Sequence, residues 1–127
     1  MDIQKELKRV YDDYLKERDY IPEYAKILGE EYPEFLIKWF DTRRTFRGKG
    51  VLPEKFKELL LVAGAACRMV ERSTDAHMQT AMKHGATKQE ILEMSFCVWL
   101  IGGMPSLSLC MSALGKLMKK EEEGKKK

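Results

Sequence analysis

Cysteine is scarce in this sequence, and the three present (Cys67, Cys97 and Cys110) form no Cys-x-x-Cys pair. An odd count without paired spacing argues against a disulfide framework and implies a reduced, cytoplasmic protein. Histidine is scarcer still, with only His77 and His84. On one helix they would lie roughly 10 Å apart along the axis, too far for a single metal ion to bridge, so no metal is expected. The patterns G-x-G-x-x-G, G-x-x-x-x-G-K and G-x-S-x-G are absent. Their absence removes dinucleotide, P-loop and nucleophile-elbow chemistry, and no cofactor is expected.

An excess of one charge is also lacking. The 23 Lys and Arg against 20 Asp and Glu leave +3, spread along most of the chain, so no basic face marks a nucleic-acid partner. Residues 1–18 are charged throughout and have no apolar core of a signal peptide. The most apolar runs, residues 59–67 and 96–104, are too short to span a bilayer, and no membrane partner is expected. Nothing reads as a strand, a repeat or a flexible linker.

What remains is helical, and the fold class expected is all-α. Residues 2–18 place Ile3, Leu7, Val10, Tyr11 and Tyr14 at helical spacing. Pro22 and Pro33 interrupt the chain, and a second helix begins near Pro33 with Phe35, Leu36, Trp39 and Phe40 along one side. It should end before a basic loop at residues 43–50. Pro53 opens the next helix, which carries Leu59-Leu60-Leu61-Val62-Ala63 and ends near Val70. A helix over residues 73–84 stops at Gly85 in a left-handed conformation. Thr87-Lys88-Gln89-Glu90 reads as a capping box. The helix it opens carries Phe96-Cys97-Val98-Trp99-Leu100-Ile101 and breaks at Gly102-Gly103-Met104-Pro105, before a last helix with Leu107, Leu109, Cys110, Ala113 and Leu117. The expected organisation is one domain over residues 1–118, with an N-terminal helical extension and a charged, disordered tail over 119–127.

Two of these helices are apolar on nearly every side, and a chain this short has little left to cover them. Self-association is the expected solution. The candidates for chemistry are few. His77 falls at the edge of the stripe Thr74, Met78, Ala81 and Met82. It is either a boundary histidine with a satisfied hydrogen bond or a group that exchanges a proton near neutral pH. Glu58 is the acid nearest the apolar run. It is either a first-turn acid favoured by the helix dipole or a desolvated carboxyl suited to acid–base work. Arg72, one turn after Arg68, is either a solvated surface residue or an anchor for an acidic substrate. His84 reads as a favourable charge at a helix C-terminus, and the cysteines as small core hydrophobes.

Glu58 with the Leu59–Ala63 run, then His77, then His84-Gly85-Ala86-Thr87-Lys88-Gln89-Glu90-Ile91, then Gly102-Gly103-Met104-Pro105, form an ordered series. It resembles the carboxymuconolactone decarboxylase family, which includes the alkylhydroperoxidase D-like proteins, over roughly residues 52–117. The resemblance implies an all-α fold assembled as a homotrimer or homohexamer, with a pocket near the subunit boundaries. Glu58 and His77 match the family's acid and histidine. The peroxidase branch carries cysteines where this chain has Val70 and Ser73, so dithiol peroxidase activity is not expected. The decarboxylase branch has no such cysteines and acts on a small lactone bearing several carboxylates. The resemblance therefore implies a lyase acting on a small carboxylated metabolite, with Glu58 and His77 catalytic and Arg72 and Ser73 binding substrate. The stretch Met69-Val70-Glu71-Arg72-Ser73 is not a close copy of the decarboxylase pattern. A non-catalytic oligomeric binding protein is the alternative.

Overall fold

A computed structural model describes residues 1–126, which form six helices and, among the described residues, no strand. They divide into two compact units at Val51/Leu52. The second unit begins where the family resemblance begins.

The first unit holds α1 (Ile3–Arg18), α2 (Glu23–Glu31) and α3 (Pro33–Arg47). The Asp2 carboxylate caps α1 by accepting from the Lys5 amide at 3.2 Å. The start of α3 at Pro33 is as expected, but the sequence reading has no counterpart of α2, because it takes Pro22 only as an interruption. In the structure each proline starts a helix, Pro22 as N-cap of α2 and Pro33 as the first residue of α3. The expected basic loop is also displaced, since α3 continues through Arg43 and Arg44 to Arg47. Those arginines are held by α1. Arg9 meets Asp41 at 2.8 Å, Arg44 meets Asp13 at 3.2 Å and Arg47 meets Glu17 at 3.9 Å. Residue numbers rise together along both helices, so α1 and α3 run parallel and α2 is the return. Val10, Tyr14, Ala25, Leu36, Ile37 and Phe40 form the core. Gly29 lies so close to Tyr11 that a Cβ there would collide with its hydroxyl.

The second unit holds α4 (Glu54–Cys67), α5 (Glu71–Lys83) and α6 (Lys88–Lys125). Its core is aliphatic, built on Leu59, Val62, Met78, Ile91, Val98 and Leu114 among others. Helix α4 ends three residues before Val70, in a Schellman turn. The amide of Val70 donates to the Ala65 carbonyl and that of Met69 to the Ala66 carbonyl, both at 3.0 Å. The left-handed residue of that turn is Met69, at φ +60°. Helix α5 ends in the same motif with Gly85 at φ +94°, and Ala86 donates to Ala81 at 2.9 Å. The capping box is formed: the Glu90 amide donates to Thr87 Oγ1 at 3.1 Å and the Thr87 amide to Glu90 Oε1 at 2.9 Å.

The expected break at residues 102–105 is a kink inside one long helix. Gly103 alone leaves helical geometry, with φ 79° and ψ −173°. A Cβ at Gly102 would strike the Ser106 side chain. Joined across this kink, α6 contains an 18-residue window of mean hydropathy 1.6, long and apolar enough by composition to cross a membrane. This revises the sequence reading, which took its runs separately. Only 28% of that window is buried. The face left open carries Phe96, Trp99, Leu100, Ile101 and Met104, with Ile101 84% exposed. Residues 119–125, expected to be disordered, continue α6 with every side chain exposed. Lys and Glu are good helix formers, and a helix already nucleated extends through them at little cost. Lys127 lies outside the described residues.

Candidate functional site

Helices α4 and α5 form an antiparallel hairpin, and acids on one face histidines on the other. Glu58 lies one turn into α4 and is 3% exposed. His77 lies midway along α5, with its side chain 17% exposed. The Nδ1 of His77 is 3.0 Å from Glu58 Oε2. A carboxylate can only accept, so with Glu58 ionised Nδ1 carries the proton. The carboxylate thereby fixes the ring's orientation and tautomer, leaving Nε2 as the nitrogen that can take or give a proton.

A second acid–histidine contact stands at the open end of the hairpin, where His84 Nδ1 is 3.1 Å from Glu54 Oε2 and both side chains are about one-third exposed. The sequence reading assigned His84 to a helix C-terminus and missed this pairing. An antiparallel hairpin puts the earlier acid opposite the later histidine, but the spacings differ, four residues on α4 against seven from His77 to His84, so the sequence alone does not fix this contact. Beside this contact, Lys55 meets Glu90 at 2.8 Å and ties α4 to the start of α6.

The structure brings together Glu58 and His77. It does not bring Arg72 to them. Ser73 is half-buried and precedes His77 by one turn on the same face of α5. Arg72 is exposed and points about 140° away around the helix, with no hydrogen bond or ion pair to either residue. Val70 is the N-cap of α5 and Ser73 lies in its first turn, so the two peroxidase positions flank the start of this helix without a thiol. Burial pushes the Cys110 thiol above its ordinary value, with a weaker opposing pull from a Ser95 hydrogen bond. That thiol stays protonated and unreactive. Among the described residues no three His, Cys, Asp or Glu side chains gather as a metal site. An open cavity of about 380 Å³ in the first unit, lined by Ile3, Glu31, Tyr32, Pro33, Glu34 and Phe35, contains none of these residues.

The second unit is thus an all-α domain with a buried acid–histidine pair between two antiparallel helices and no dithiol beside it. The sequence profile of the carboxymuconolactone decarboxylase family matches residues 33–115. The chain belongs to that family. The match starts at Pro33, earlier than the resemblance read from the sequence, and so takes in α3. The chain is 34% identical over 107 residues to an uncharacterized protein of Methanocaldococcus jannaschii, covering 81% of this chain and all of that protein. The fold is similar to a crystal structure from Burkholderia xenovorans LB400 whose protein is named a "putative carboxymuconolactone decarboxylase". That similarity has a TM-score of 0.79 at 26% identity and covers 97% of this chain and 98% of the other.

Proposed function

We propose that the protein is a cofactor-independent lyase that decarboxylates a small carboxylated metabolite, with Glu58 and His77 as its proton-handling pair. The observation that carries this reading is the 3.0 Å contact between a buried carboxylate and a partly exposed imidazole. Loss of carbon dioxide from an unsaturated lactone acid leaves an electron pair delocalised into the carbonyl system. Protonated His77 delivers its Nε2 proton to carbon, and the neutral ring then regains a proton from water. Glu58 stabilises the imidazolium and holds the ring in place. Ser73 lies where a hydroxyl can reach a substrate held at His77, and Arg72 can reach a substrate carboxylate only from outside this face.

The test is release of carbon dioxide from carboxymuconolactone and related lactone acids. His77→Ala and Glu58→Gln should each lower turnover by roughly 10²–10⁴-fold. The double variant should be little worse than the weaker single, as for groups acting as a unit. Undiminished turnover in His77→Ala overturns the assignment. One observation favours a second reading, a non-catalytic oligomeric binding protein: Arg72 makes no contact with the pair. Saturable binding of such acids without turnover would select it. Dithiol peroxidase activity is disfavoured because Val70 and Ser73 replace the cysteines.

The open apolar face of α6 supports self-association, which we propose is a homotrimer or homohexamer, and the three free cysteines favour a reducing cytoplasm. The Gly103 break argues against lipid as its cover, since irregular backbone is not left exposed to hydrocarbon. Sedimentation equilibrium should show a trimer or hexamer, and Ile101→Glu should dissociate it; a wild-type monomer would refute this.

A further inference from the structure

The first unit treats its arginines unequally. Arg9, Arg44 and Arg47 each meet a carboxylate on the α1–α3 ladder. Arg18 and Arg43 do not. Both instead stand over the ring of Tyr14, each with its Cζ 5.9 Å from the ring centre. Arg43 also stacks on Trp39 at 4.9 Å and Phe40 at 5.3 Å, and its Nη1 donates to the Tyr14 hydroxyl at 3.4 Å. Arg18 is 8% exposed, and its Nε is buried with no acceptor in the protein.

Arg18 is desolvated against the same ring that Arg43 stands over, and neither meets a carboxylate, which is unfavourable unless an anion compensates. The C-terminus of α1 supplies only part of a negative charge to Arg18. The hydroxyls of Tyr14 and Tyr24 lie 3.1 Å apart next to Arg43. Burial and the Tyr24 contact push the Tyr14 phenol far above its usual range, so this hydroxyl keeps its proton.

We propose that Arg18, Arg43 and the Tyr14–Tyr24 hydroxyl pair form a binding site for a small oxyanion, a carboxylate or a phosphate, in the first unit. The planar guanidinium groups suit either anion through paired N–H donors. Stacking on Trp39, Phe40 and Tyr14 holds Arg43 in position before the anion arrives, which reduces the ordering cost of binding.

The test is a titration of the full chain, labelled with ¹⁵N-arginine, using inorganic phosphate and benzoate as separate probes at constant ionic strength. The Nε–Hε signals of Arg18 and Arg43 should move together and saturate, while those of Arg9, Arg44 and Arg47 stay in place. The probe that saturates first identifies the chemistry. Arg43→Lys keeps the charge but loses the paired donors, and it should weaken binding by about tenfold. If Arg18→Gln disturbs folding, Trp39 fluorescence in a Trp99→Phe background gives a second reading on the unaltered arginines. Equal drift of all five signals, which is the response to non-specific screening, or no shift with either probe, overturns the proposal.

Discussion

The two units solve the same problem, burying three helices' worth of apolar surface, with opposite materials. The first packs two aromatic rings, Tyr14 and Phe40 with centres 4.9 Å apart, at the heart of a small core and laces its helices with exposed charge pairs. The second packs aliphatic side chains and leaves an apolar face open on α6. Exposed ion pairs contribute about 0–1 kcal/mol each, so the ladder fixes the parallel register of α1 and α3 more than it stabilises them. The second unit has few charges inside its helical contacts, and the one that is buried, Glu58, is the acid placed on a histidine. The ion pairs of the first unit tie helices together, whereas the buried charge of the second is, on the proposed function, a proton-handling group.

The largest effect should come from removing an aromatic ring that the first unit depends on. Phe40→Ala should cost about 3–5 kcal/mol, the range for deleting a buried phenylalanine. If the two units unfold independently, amide exchange should accelerate in α1–α3 and leave α4–α6 protected. Uniform loss of protection across all six helices would erase the distinction.

A smaller effect compares the two helix stops of the second unit. They share one motif, but Gly85 occupies the left-handed position at no steric cost whereas Met69 does so against its Cβ. Gly85→Ala should destabilise by about 1 kcal/mol, and Met69→Gly should be stabilising by up to about 1 kcal/mol. The Met69 sulfur accepts from the Ser106 hydroxyl at 3.7 Å, so some of that gain will be lost. Chemical denaturation of both variants checks the signs; destabilisation by Met69→Gly would mean that the thioether contact outweighs the strain.

Those two stops also show what a sequence discloses. Gly85 is legible because glycine favours that conformation, and Thr87 with Glu90 because a capping box is a local pattern three residues wide. Met69 is illegible, since nothing in methionine asks for positive φ; the turn is imposed by α5 folding back on α4. Helix α2 was hidden by reading Pro22 as an interruption when it is a helix start, as Pro33 was read to be. Glu58 and His77 could be named from composition and family resemblance, but their contact, like that of Glu54 with His84, depends on hairpin register. Arg18 and Arg43 gave no signal, because in sequence they look like the arginines of the ladder.

The smallest predicted effect separates charge from geometry at the start of α6. Glu90 holds its carboxyl below the usual carboxylate range, chiefly through Lys55 and then through the Thr87 amide. A carboxyl depressed in the folded state adds stability that is complete above its unfolded value. That contribution is lost as pH falls through the folded one. Glu90→Gln keeps an oxygen for the Thr87 amide but removes the charge. Its melting temperature should therefore lie below wild type at pH 7 and converge on it under acid conditions, with the gap narrowing in high salt as well. Thr87→Ala deletes a hydroxyl that does not titrate, so its deficit of about 1 kcal/mol should persist to low pH. Melting curves from neutral to acid pH for the two variants make the comparison, and a Glu90→Gln deficit that ignores pH would show that the capping geometry, not the ion pair with Lys55, is what the helix start requires.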